Sequence, residues 1–178
     1  MVKPEWFHLL PDPDMEEINF KRTPDFLRRY PYFMTAEDFN NLEDDTAFYE
    51  HSGRVAQSDF IFNPTFMIGQ RFHTIFSLLK PEMQFKTLNL IDRDKQEKAP
   101  VPFFYIPYLP WADGLHPSTI VKNGHATEVI LKADTVTDRR LMHCRLPGQD
   151  IWLASLEAAE CILRRAPWGL KLQKVAVW

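Results

Sequence analysis

Apolar residues recur along the chain in short runs separated by proline-, glycine- and aspartate-marked turns. Ile151-Trp152-Leu153 is a compact run of bulky residues suited to a buried strand. Ser155 follows as a helix cap, its hydroxyl able to accept from backbone N–H groups that lack helical partners. Leu156, Ala159, Ile162, Leu163 and Ala166 fall on one helical face and predict a helix over 156–165. Glu157 and Glu160 stand near its start and Arg164 and Arg165 near its end, as the helix dipole favours. Pro167 and Gly169 stop the helix, and Leu170 to Val177 reads as a strand.

The same order of signals appears earlier. Phe60-Ile61-Phe62 reads as a strand, with Asn63 as a cap and Pro64 as a first helical residue. Met67, Gly69, Phe72, Ile75, Phe76 and Leu79 then predict buried positions of a helix over 64–79. Pro81 ends it, and 85–91 alternates as a strand. Elsewhere Trp6 to Leu10 reads as an opening strand, and Pro11-Asp12-Pro13-Asp14 as a turn. Thr23-Pro24 predicts a short helix that Pro31 stops. Thr35 and Asp38 form a capping-box pattern for a helix over 36–42 with Phe39 and Leu42 inward. The charged segment 92–98 reads as a turn. The run 101–109 is aromatic and strand-like, but Pro102, Pro107 and Pro110 confine it to a sheet edge or an irregular path. The segment 111–119 reads as a loop, and 127–131 and 141–146 as strands.

These elements predict an α+β fold in a single domain over 1–178. Its expected form is a mixed or antiparallel sheet with two strand–helix–strand units packed on it. Residues 1–50 form an acidic, helix-rich N-terminal part, and 60–178 the α+β body.

The strand, helix and strand of 60–91, the loop with Asp113 and Ser118, the strands leading into Arg145-Leu146, the run Ile151-Trp152-Leu153-Ala154-Ser155 with its helix, and Trp168-Gly169-Leu170-Lys171-Leu172 together resemble one family. It is the immunity proteins of bacterial polymorphic toxin systems, in particular a family first catalogued as a domain of unknown function. The likeness covers roughly 60–175 and rests on apolar periodicity, a cap and a glycine. The proline-rich run 100–110 and the acidic first third depart from the family pattern. The resemblance implies a non-enzymatic inhibitor of one cognate toxin, acting in the producing cell, and supplies no catalytic residues.

Composition fits a folded globular chain: 45% of residues are hydrophobic, and 14 Phe and 5 Trp are present. Two cysteines, Cys144 and Cys161, make no disulfide framework and suit a reducing cytoplasm. The opening residues show no apolar h-region, so neither a signal peptide nor a membrane span is expected. Net charge is −3, but residues 1–50 hold 12 Asp/Glu against 5 Lys/Arg. That imbalance argues against a nucleic-acid groove there and suits a basic partner.

Catalytic signatures are sparse. The glycines are scattered, and no paired Cys or His spacing indicates a metal or cofactor site. His143-Cys144 has the residue types of a nucleophilic pair, but neighbours in a strand point to opposite faces, which leaves Cys144 as a small buried hydrophobe. Asp113, His116 and Ser118 have acyl-transfer types without the strand–turn–helix setting, and turn formation accounts for them. A hydrolase-like enzyme using His116, Ser118 or Cys144 is the alternative reading, and a scaffold protein with another partner is a third. Phe103-Phe104-Tyr105 with Tyr108 and Trp111 could stack bases, yet no basic stripe interleaves them, and core packing or a protein-binding patch fits better.

The acidic run 37–50 is the expected partner-binding set: Glu37, Asp38, Glu43, Asp44, Asp45, Tyr49 and Glu50, with Phe39, Phe48 and Tyr49 as anchors. The run contains no Lys or Arg. Toxin domains of the resembled class include nucleases with basic clefts, and opposed carboxylates speed encounter with such a cleft. The function expected is therefore stoichiometric neutralisation of a toxin domain, with no catalytic residue, metal or cofactor.

Overall fold

The computed structural model describes residues 4–15, 18, 20–22, 34–42, 45–49, 58–92 and 103–178. The short helix expected from Thr23 and the charged turn from residue 93 onward lie outside them.

The fold is mixed α+β and dominated by strands. One sheet has five strands in the order β10 (Ile130–Leu131), β13 (Leu170–Val177), β1 (Trp6–Pro11), β12 (Gln149–Ser155) and β11 (Leu141–Leu146). A second has six: β2 (Phe20–Arg22), β3 (Asp45–Tyr49), β6 (Gln84–Asp92), β7 (Phe103–Tyr108), β5 (Met67–Gly69) and β4 (Phe60–Ile61). A separate hairpin joins β8 (Ile120–Lys122) to β9 (His125–Glu128). The single sheet expected from sequence is thus two sheets, and the expected strand over 127–131 is split between β9 and β10.

Two chain segments pass through a helix and return parallel with one strand between. β12 leads through α3 (Leu156–Leu163) to β13, and β1 lies between them, antiparallel to both. β5 leads through α2 (Gln70–Leu79) to β6, and β7 lies between them, again antiparallel to both. The helix expected from residue 64 begins six residues later, because 67–69 is committed to pairing with β4 and β7. Asn63-Pro64 is a cis peptide rather than a helix start.

Strand alternation divides the apolar residues among three cores. Between the sheets, α2 contributes Phe72, Ile75, Phe76 and Leu79, α3 contributes Ala158, Ala159 and Ile162, and they share a cluster with Leu9, Ile68, Leu141 and Trp152. Phe66 meets Trp152 directly, with ring centroids 4.6 Å apart. The far face of the second sheet, with Met67, Leu88, Leu90, Phe104 and Ile106, is covered by Phe39 and Leu42 at helix α1 (Ala36–Asn41). The far face of the first sheet, with Trp6, Met142, Cys144, Ile151 and Leu153, is covered by Val129, Leu131 and Val136.

Two expectations about faces are corrected. α3 turns Ala158, Ala159 and Ile162 inward and leaves Leu156 and Leu163 exposed. Two of the three are alanines, whose small side chains suit the close-packed cluster shared with Trp152 and Phe76. β7 is interior, not an edge. Its neighbour β5 pairs only with Phe104 and Tyr105, so Pro107, paired with Phe85, lies beyond that ladder and forfeits no bond to it.

Candidate functional site

The acidic run begins on α1, and local chemistry fixes that helix. Thr35 Oγ1 accepts from the Asp38 N–H at 3.1 Å, and Asp38 Oδ2 accepts from the Thr35 N–H at 3.0 Å. This reciprocal capping box satisfies two amides that the helix leaves without partners. Phe39 is buried and stacks on Tyr108 with centroids 5.0 Å apart. Phe39 is therefore a root of the helix in the core, as its inward place in the pattern predicts, and not the contact anchor expected from the acidic run. Asp38 spends its carboxylate on the cap, while Glu37 is exposed. Asp45 and Tyr49, with Phe48, lie on β3, between β2 and β6. Only the backbone of β3 is described. Glu43, Asp44 and Glu50 lie outside the described residues.

The polar loop after β7 is engaged in its own turn. Asp113 Oδ2 accepts from Lys132 Nζ at 2.8 Å. His116 Nδ1 accepts from the backbone N–H of Ser118 at 3.2 Å, and the His116 ring meets Trp178 edge-on at 5.6 Å. The Asp113 carboxylate is thus turned to Lys132, and the link between His116 and Ser118 runs through the Ser118 backbone.

Cys144 and His143 point to opposite faces of β11. Cys144 is fully buried beside Gly114 and Met142, and burial pushes its thiol up to about 11. His143 faces the inter-sheet side and stacks flat on Trp152, at 4.6 Å and 9°. Its Nδ1 lies 2.9 Å from the Leu109 carbonyl and its Nε2 2.9 Å from Asp150 Oδ1. Whichever nitrogen carries the proton donates to an acceptor already in place. Both nitrogens face structural partners, so His143 fastens β11 to the end of β7 through Leu109 and to β12 through Asp150. No local pattern marks this contact, because Asp150 lies opposite Arg145 and only diagonal to His143 in the ladder.

Sequence reasoning also missed a surface at the junction of the two sheets. Trp168, 51% exposed, borders a cleft of about 580 Å³ with Asp12, Asp14, Met15, Pro167 and Gly169. The signal was present as the acidic turn Pro11-Asp12-Pro13-Asp14 and the helix stop Pro167-Trp168-Gly169. Each segment alone signals only a turn, and the two stand at opposite ends of the chain.

Among the described residues, no group of three or more His, Cys, Asp or Glu side chains is placed to hold a metal ion. No helix among them is long and apolar enough to cross a membrane. No protein-family model matches the chain, and no curated protein matches it.

Proposed function

We propose that this protein is an immunity protein, binding one cognate bacterial toxin domain in the cytoplasm of the producing cell and blocking it by stoichiometric complex formation. The observation that carries the reading is the firm presentation of an acidic surface. Glu37 is exposed on a helix whose cap is closed and whose Phe39 is locked in the core. A carboxylate carried on an anchored helix costs less backbone ordering entropy on binding than one on a loose loop. The following residues, through Glu50, add acids and no bases. Such a face suits a basic partner, as a nuclease cleft would be, and accelerates encounter through long-range attraction.

We also take the two strand–helix–strand segments as equivalent supports packed back to back, presenting loops and α1 outward. Arg71 Nε donates to Asp59 Oδ1 at 2.5 Å, and in this reading that contact and the His143–Asp150 contact serve rigidity and no chemistry.

The test is to co-express the chain with the toxin domain encoded beside it. Co-purification at a fixed ratio and rescue of growth are expected. Charge reversal at Glu37 to Lys should slow association several-fold and steepen the loss at low salt, where surface charges act over longer distances. Neither complex nor rescue would refute the proposal.

A further inference from the structure

The Trp168 cleft has the construction of a recognition site. Its indole is held out by backbone bonds. The Trp168 N–H donates to Asp59 Oδ2 at 2.8 Å, and its carbonyl accepts from the Asp59 N–H at 2.9 Å. Arg71 donates to the carbonyls of Arg165 and Ala166 just before it, at 3.0 and 3.1 Å. Another wall is tied to the same loop, since the Asp12 N–H donates to the Gly169 carbonyl at 3.3 Å. An exposed tryptophan on a backbone fixed this way loses little freedom when a partner covers it.

The chemistry of the walls selects the occupant. Asp12 and Asp14 line the cleft together with Trp168, and the sequence continues with Glu16 and Glu17, giving four acids within 12–17. The Arg71 guanidinium behind the loop is already matched by Asp59. A smaller cavity of about 40 Å³ shares Asp12, Met15 and Gly169 and is walled by Ile18, Phe60 and Phe62. An aromatic face, carboxylates lining the same cleft and an apolar recess beside them suit a planar cation on an aliphatic stem.

We propose that this cleft docks an arginine side chain presented by a partner protein. The proposal rests on the partner-binding reading above and names a second surface for it, on the far side of the chain's acidic first third from α1 in sequence. A guanidinium stacks on the indole and donates to Asp12 or Asp14, and its stem lies along Met15.

The test uses a capped hexapeptide of arginine and glycine and its glutamine counterpart, titrated into the purified full chain by calorimetry and by tryptophan fluorescence. The arginine peptide should bind, more weakly as salt rises, and the glutamine peptide should not. Trp168→Ala should weaken binding at least tenfold. The pair Asp12→Asn and Asp14→Asn keeps the turn-forming oxygens, removes only charge, and should weaken it several-fold. Circular dichroism checks that each variant is folded. Equal affinity of wild type and the folded Trp168 or double-asparagine variants, or no binding by wild type, overturns the proposal. The peptide stands in for the toxin, so the two readings fail separately. A chain that binds the peptide but no toxin loses its proposed function and keeps this site.

Discussion

Arg71 grips Asp59 with two parallel donors, Nε to Oδ1 at 2.5 Å and Nη2 to Oδ2. The pair does more than neutralise charge. Asp59 sits just before β4 and Arg71 in the first turn of α2, while the carbonyls that Arg71 also reaches close the end of α3. One guanidinium therefore joins the start of one helix to the turn that follows the other. Asp59 accepts from Trp168 with the same oxygen that holds Nη2, so the contact also sets the loop bearing the exposed indole. The carboxylate raises the Arg71 pKa, chiefly through this hydrogen bond.

Arg71→Ala leaves Asp59, whose side chain is 11% exposed, without its cation. Breaking a fully buried pair costs about 3–5 kcal/mol, but Arg71 is half exposed and water screens the loss, so about 2 kcal/mol is expected. Arg71→Lys should recover less than half, because one ammonium cannot serve the carboxylate and two carbonyls at once. Urea midpoints measure both. A lysine variant as stable as wild type would show that charge alone, without the fork geometry, does the holding.

Gly169 has φ +82°, and a Cβ there would meet the Phe60 carbonyl at 2.9 Å as well as Ser58 Oγ. Gly169→Ala should cost about 2 kcal/mol or more, combining the left-handed penalty of about 1 kcal/mol with the clash. Ser58→Gly in that background should restore only part, since the Phe60 carbonyl is backbone and stays. Full restoration would mean that the hydroxyl was the whole obstacle.

The periodic elements were legible in the chain, and what they touch was not. β11 and β13 run over the residues their alternation marks, and the Thr35–Asp38 box starts α1 where the motif places it. These depend on neighbours a few residues away. Asn63-Pro64 is a sound local cap, and what delays α2 is pairing of Ile68 and Gly69 with β7, a strand distant in sequence. Phe39 carries two sequence signals, an inward place on the 36–42 helix and a place in an acidic run that suits a contact anchor, and the first holds. Its burial depends on Tyr108. The Trp168 cleft needs residues 12 and 168 brought together, and no window of sequence contains both.

The two cysteines should separate cleanly by reactivity. Cys144 is fully buried with its thiol raised to about 11, whereas Cys161 is half-buried on α3. Because the thiolate is the reactive species, a disulfide reagent at pH 8 should modify one thiol in the folded protein and two in denaturant. Cys161→Ser should remove the fast phase. A fast phase that survives this change would place Cys144 within reach of solvent and reopen a nucleophilic role for it.

His8 gives the fold a pH dependence whose sign follows from its burial. The side chain is 5% exposed on β1, and burial lowers its pKa from 6.5 to about 4. It borders a cavity of about 120 Å³ whose charged neighbours are Glu128 after the β8–β9 hairpin's turn and Lys174 on β13, the latter paired with Glu5. Between pH 6.5 and 4 the unfolded chain binds a proton at this histidine and the folded chain does not, so stability falls as pH falls through that window. Above pH 6.5 both states are neutral there and the contribution is constant. The full loss from this one group is about 3 kcal/mol, reached near pH 4. His8→Gln removes the titration, so its denaturation free energy should fall less than wild type over the same range, with the two curves diverging from about pH 6 downward. Parallel curves would mean that the folded protein accepts the proton at His8, with the ring turned to water through the cavity.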